Sequence, residues 1–448
     1  MKKMLIIVVI FSTIIGTMGA ESITLNADQA VEMALARNLD LKQTGIDLKT
    51  DKRSKDNAWN LFLPSMSISA GFTMSSNIFE YEHTDPLHIN EPGAHGFATR
   101  LSLSLPLNAA IPASIRNLIA KYEAGLLNYE NAQKRLERDV RKQFYLLLGS
   151  QENIRIQQAN IDLATKRHEQ ARTNFENGLA TELDVLSAEV TVANLQPAYN
   201  RELASYENLV LFFKFLLGLD RNEEIALDGS LETELYTFDS EALIAKYING
   251  RLDLRSLEKQ IESYKYAKKS ALRNFNTPAL NLSYRFDITG SNNDSIGFFP
   301  KKDIAPWTDW GDRGTLSLGL QWKLDGLIPG SSASNQLRQL QDGIDSLEIA
   351  KEMAFQNAGI EITNLINSLD TARKTIEANT SGVELARRNL QLTEEAYNAG
   401  SRQRLDVESA QNEFLLASQQ LLFAKYEYIA GLLDLEYALN ISRDEFVE

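Results

Sequence analysis

The segment ARTNFENGLATELDVLSAEVTVANLQPAYNRELASYENLVLFFKFLLGL, Ala171 to Leu219, returns in recognisable form as TEEAYNAGSRQRLDVESAQNEFLLASQQLLFAKYEYIAGLLDLEYALN, Thr393 to Asn440. Shifted by 222 positions, Phe175 meets Tyr397, Gly178 meets Gly400, Leu183-Asp184-Val185 meets Leu405-Asp406-Val407, and Tyr206 meets Tyr428. Each copy sets a glycine between two helical patterns, which predicts a tight reversal in a helical hairpin. The chain is one unit built twice, not a string of ordinary domains.

Composition narrows the function. A net charge of -14 over 448 residues leaves no concentrated basic surface for nucleic acid. With no cysteine there is no disulfide, no thiolate chemistry and no lipid attached through an N-terminal Cys. Lys2 and Lys3 precede the apolar run Met4 to Ile15 and then small residues up to Ala20, the pattern of a cleaved export signal over residues 1–20. Its roughly 12 apolar residues are short for a bilayer span, which takes about 20.

Working outward from the hairpins, the two halves match. The first, 21–237, reads as a helix, two strands at about 65–74 and 99–107, a long helix 112–177, a helix 181–218 and an acidic connector. The second, 238–448, reads as a helix, strands at about 279–289 and 315–325, a long helix 333–399, a helix 402–440 and a short tail. Leu25 to Asn60 and Phe238 to Asn276 carry the opening helical patterns, and Pro64 and Pro278 mark where each changes period, since proline pushes the residue before it out of the helical region.

After the prolines the period becomes two. Met66, Ile68, Ala70 and Phe72 alternate with serine and glycine, and Leu280, Leu282, Tyr284, Phe286 and Ile288 alternate with polar residues. Leu101, Leu103 and Leu105, and Leu316, Leu318, Leu320, Trp322 and Leu324, form the second strand of each pair. Two readings compete: a small sheet on helices with a wet polar face, or transmembrane strands with lipid on one side and a lumen on the other. Four strands cannot close around a pore, and an open edge cannot stand in lipid. Membrane insertion therefore predicts an oligomer that pools strands, such as twelve from a trimer.

The long helices, proline-free over Ser114 to Asn177 and Ser334 to Asn398, amount to rods of about 100 Å each. Coiled-coil packing explains them, with small and β-branched residues at close approaches. A solid coiled-coil rod is the competing account, but it gives the four strands no role. Pro197 predicts a local bend or bulge in the returning helix.

No catalytic constellation is present. His83, His88 and His95 share a loop but have no carboxylate at a recurrent ligand spacing, and His168 sits in a charged helical run. Phosphate loops, dinucleotide fingerprints, zinc-protease helices and nucleophile elbows are missing from the sequence. At the reversals, Thr181 and Ser401 are candidate helix caps, Asp184 standing three residues after Thr181 as in a capping box. These residues read either as capped turns alone or as one end of an assembly, where Asp184, Arg402, Arg404, Asp406 and Glu408 meet neighbouring chains or ring an opening.

FENGLATELDVLSAE and YNAGSRQRLDVESAQ, two copies in order with a strand pair ahead of each, resemble the duplicated segment of the outer membrane efflux protein family, the TolC-like outer membrane factors. The resemblance covers nearly the whole chain after the signal. It implies a homotrimer with a twelve-stranded outer-membrane β-barrel, four strands per chain, continuous with a long α-helical coiled-coil tunnel through the periplasm of a diderm bacterium. It further implies an exit duct for efflux or type I secretion, working with a periplasmic adaptor (membrane fusion) protein and an inner-membrane pump of the RND, ABC or similar class, without enzyme activity or cofactor.

Residue by residue, the resemblance makes Tyr397 and Arg402 the tyrosine and arginine that lock the gate, and Asp184 the arginine's partner. Asp406 matches the first of two aspartates ringing the entrance, and Ser409 stands where the second would be, so that Glu408 or Glu413 is the candidate replacement. Gly178-Leu179 and Gly400-Ser401 match the tip turns that adaptors contact. The missing cysteine after the signal implies anchoring by the barrel alone.

Overall fold

The computed structural model describes residues 23–74, 95–292 and 309–446. The export signal, His83 and His88, and Phe79, Tyr81, Phe298, Phe299 and Trp307 of the strand connections lie outside them. In chain order the elements are β1 (Ile23–Leu25), α1 (Ala27–Arg37), α2 (Leu39–Asp56), β2 (Ser65–Met74), β3 (His95–Leu107), α3 (Ile111–Glu176) and α4 (Glu182–Leu217). There follow β4 (Ile225–Leu227), α5 (Ser240–Tyr247), α6 (Leu252–Asn276), β5 (Ala279–Asn292), β6 (Asp309–Gln321), α7 (Ser332–Asn398) and α8 (Arg404–Leu439). The strands reach further toward the long connections than alternation suggests, and β6 stops at Gln321, short of Leu324.

Each opening helix is broken where the two copies align. Asn38 takes an extended conformation at the end of α1, accepts a hydrogen bond from the Leu41 N–H at 3.0 Å, and donates its amide to the Leu216 carbonyl at 3.0 Å. Its side chain thus starts α2 while holding the far end of α4. In the second copy a short turn at Ile248–Gly250 makes the corresponding break before α6. Pro197, by contrast, lies inside an uninterrupted α4.

The chain forms two compact units, each assembled from both copies. The first takes the chain up to Ile46, Tyr129–Leu252 and Phe355 onward. It holds one apolar core from the first copy, centred on Val140, Phe144, Leu147, Phe213 and Leu217. A second core comes from the other copy, with Ile362, Leu369, Tyr428, Leu432 and Leu435. β1 and β4 pair in parallel beside the first. Tyr428 is completely buried, and its hydroxyl accepts the Tyr236 backbone N–H at 2.7 Å, pinning the connector to α8. Burial raises the Tyr428 phenol above its ordinary value.

The second unit, Asp47–Asn128 with Asp253–Ala354, contains a four-stranded antiparallel sheet in the order β2-β3-β5-β6. The period-two sequence becomes continuous rows because the register aligns like with like. Met66, Leu103, Tyr284 and Leu316 form one row, and Leu105, Leu282 and Leu318 another. On the opposite face Ser65, Ser104, Ser283 and Ser317 line up, and Arg100 pairs with Asp287 at 2.7 Å. One face is thus apolar across all four strands and the other polar. Met66, Ile68, Leu316, Leu318 and Leu320 are each at least 70% exposed, which a face bathed in water would not favour. Within the same unit Ser256, Ser263 and Ser270, one per seven residues of α6, bond Asn128, Asn117 and Ser114 of α3. Among the described residues no helix is long and apolar enough to cross a membrane.

Candidate functional site

Both hairpin tips lie in the first unit. At the end of α3, Gly178 turns to φ 73°, its N–H reaching the Phe175 carbonyl and the Leu179 N–H the Asn174 carbonyl. Gly400 at φ 72° repeats this after α7, with the Tyr397 and Ala396 carbonyls as acceptors for Gly400 and Ser401. A Cβ at either glycine would have open space, so the left-handed conformation, not crowding, is what favours glycine there.

The returning helices start on equivalent capping boxes. Asp184 accepts the Thr181 N–H at 2.9 Å and the Thr181 hydroxyl at 2.7 Å, and the Asp184 N–H reaches Thr181 Oγ1 at 3.3 Å. Bonds from the Thr181 hydroxyl and N–H, aided by Arg404, hold the Asp184 carboxyl below its ordinary value. In the second copy the cap is Gln403, whose N–H donates to Asp406 Oδ2 at 3.1 Å. The expectation of a Ser401 cap is therefore corrected. The two turns are equally long, with Gln403 standing where Thr181 stands in the first copy; Asp406 supplies the acid, and the Ser401 hydroxyl instead closes the preceding helix on the Ala396 carbonyl at 2.9 Å.

The structure brings some candidate residues together and separates others. Arg402 lies 3.8 Å from Asp406, an exposed contact within one turn; among the described residues its ion pair is with Asp406, not Asp184. Tyr397 is 43% exposed, and among the described residues its hydroxyl has no hydrogen-bond partner. Among these candidates Arg404 crosses from the second hairpin to the first: its guanidinium donates to the Asp184 carbonyl and to Ser187 Oγ, while its Nε bonds Glu408 at 2.9 Å. Ser409 is exposed, Glu408 is engaged by Arg404, and Glu413 accepts from Asn389 at 3.3 Å. Leu179, 79% exposed, leads the first tip. His168 lies within α3, and among the described residues no group of three His, Cys, Asp or Glu could hold a metal.

Further from the tips runs a polar ladder that hydrophobic periodicity passed over. Asn153, Asn160 and Arg167 recur every seven residues on α3 and meet α8: Gln419 donates to Asn153 at 2.9 Å, Gln411 to Asn160, and Arg167 to Gln411. Arg167 also pairs with Glu394 of α7 at 2.6 Å. Asn153, Asn160 and Gln411 are buried. Buried polar partners at heptad spacing fix register between long helices that apolar contacts alone would let slide. The seven-residue recurrence of polar residues inside an apolar stripe was the available signal.

The helical hairpins, the two-faced sheet and the duplication agree with what known proteins show. The model of the Outer membrane efflux protein family matches residues 30–218 and again 243–440. Outer membrane protein TolC of Salmonella enteritidis is 23% identical over 427 residues, covering 94% of this chain and 83% of that protein. TolC of Escherichia coli K12 is 22% identical over the same shares. Among solved structures, the Campylobacter jejuni CmeC outer membrane channel superposes with a TM-score of 0.73 at 17% identity, over 92% of this chain and 85% of that one. The outer-membrane channel OprN gives 0.72 at 18%, over 93% and 90%. With its fold shared by these channels and both copies matched by the family model, the chain belongs to the Outer membrane efflux protein family, and its place is the outer membrane.

Proposed function

We propose that this protein is the outer-membrane exit duct of a tripartite efflux or type I secretion system, assembled as a homotrimer and gated at the helical tips. The observation that carries this is the sheet: an apolar face across four strands, a polar face behind it, and edge strands β2 and β6 without a further neighbour in the described chain. Strands of 10 to 14 residues are long enough to cross a hydrocarbon core when tilted. Their edges are tolerable in lipid only if another chain pairs with them. Three copies would give twelve strands, enough for a water-filled lumen lined by the serine rows. Helices of 66 and 67 residues, each about 100 Å, would carry the duct through the periplasm.

In this reading Gly178, Leu179, Gly400 and Ser401 are the surfaces offered to a periplasmic adaptor, and an inner-membrane pump supplies the energy. Tyr397, Arg402, Asp184 and Asp406 surround the closing point, and Ser409 leaves the second ring uncharged. A heat-resistant trimer recovered from outer-membrane fractions and conducting in planar lipid bilayers is the expected result. A soluble monomer without conductance would overturn it.

A further inference from the structure

We propose that Arg404, braced by Glu408, is the clasp that holds α8 to α4 within each chain; the proposal rests on the reading of the tip as the closing point. Three nitrogens of its guanidinium have a partner: the Asp184 carbonyl and Ser187 Oγ on α4, and Glu408 one turn along its own helix. A planar fork with five donors suits this three-way arrangement, and a lysine ammonium does not. The Arg404 and Glu408 side chains are 22% and 25% exposed, against 61% for Arg402, so the clasp is the better shielded of the two arginine contacts. Charge-assisted bonds gain from that shielding, whereas an exposed pair such as Arg402 with Asp406 contributes little.

The repeat shows that the clasp is one-sided. Where α8 has Arg404 and Glu408, the matching positions of α4 are Glu182 and Leu186, so α4 has no equivalent arginine to reach back to α8. The acceptor Ser187 is itself the counterpart of Ser409. At the tip, α8 therefore reaches α4 through Arg404, and its main acceptor is a backbone carbonyl that no side-chain substitution at 184 removes. Opening the tip by moving α8 away from α4 must break both bonds, while Glu408 travels with Arg404 and keeps its charge compensated.

The test is single-channel conductance of the purified trimer in planar bilayers, for Arg404→Gln, Arg404→Lys and Glu408→Gln beside the double variant Arg402→Ala/Tyr397→Phe. Arg404→Gln is expected to raise mean conductance by about twofold or more, with Arg404→Lys and Glu408→Gln between it and the unmodified protein. Because the chain has no cysteine, Ser187→Cys/Arg404→Cys can be bridged by a short reducible dithiol-reactive linker. Bridging should restore low conductance and reduction should raise it again, a reversibility that mere destabilisation would not give. If Arg402→Ala/Tyr397→Phe opens the channel while the Arg404 variants and the linker change nothing, the clasp is overturned and the gate reading stands. If none of the variants changes conductance, the tip is not the closing point and both fall.

Discussion

Asp184 and Asp406 do the same structural work in the two copies: each turns a carboxylate oxygen onto the backbone N–H three residues earlier and so starts its helix. A residue expected to face an opening is thus already employed in shaping the turn. The Asp184 carboxyl is held below its ordinary value, mainly because the Thr181 hydroxyl and N–H bond it. A depressed folded-state value means that the cap's contribution is complete above the unfolded value and is lost as pH falls through the lower, folded one. Thr181→Ala should weaken the start of α4 by about 1 kcal/mol. Amide exchange over residues 181–185 should show the difference at neutral pH, and the gap should close in acid below the folded value.

In the proposed reading Asp406 carries a ring charge as well as the cap. Asp406→Asn keeps a side-chain oxygen for the Gln403 N–H but removes the charge, so a carboxylate ring should lose its hold on multivalent cations while the trimer survives. Measured in bilayers at low salt, block by a trivalent cation should weaken. Undiminished block would place the ring elsewhere, and Glu408, already compensated by Arg404, would be a poor substitute.

Tyr428 and Tyr206 occupy matching positions, yet only Tyr428 is completely buried, with the connector's Tyr236 N–H on its hydroxyl. Tyr428→Phe leaves that N–H without its acceptor at a cost of about 1–3 kcal/mol. Exchange of the Tyr236 amide should accelerate accordingly, with little change in the sheet.

On the sheet, Leu318 is 70% exposed at the β6 end of an apolar row. If that row faces lipid, Leu318→Arg should cost about 2–4 kcal/mol near the bilayer midplane. Ser317→Arg, on the opposite face, should insert and alter conductance instead. Equal recovery of both variants from outer-membrane fractions would contradict the assignment of faces.

Much of this was legible in the sequence because it is written in period and punctuation. The helical stripes, the alternation after Pro64 and Pro278, and the glycines at 178 and 400 each depend on residues close in the chain. What escaped depends on distant neighbours. Asn38 reads as an ordinary helical residue until Leu216 is seen to accept its amide. Gln403 is an uncommon cap, so Ser401 looked the better choice. Arg404 stands out in the sequence only as one of five charges at the reversals, and the approach of Asp184 and Ser187 from the other hairpin shows which contacts it makes. The family pattern directed attention to Arg402, two residues away.

The sheet order has a consequence for how the protein is made. β3 pairs with β5, joining residues such as Ser104 and Asn281 that stand 177 positions apart. The first hairpin can form early, but its inner edge has no mate until the second half has been delivered. Pairings of such long range form slowly, and an apolar ribbon waiting in water invites aggregation. During biogenesis this strand pair is therefore the segment most in need of a holding chaperone, and the moment β5 arrives sets the earliest point at which the chain can leave it for the bilayer.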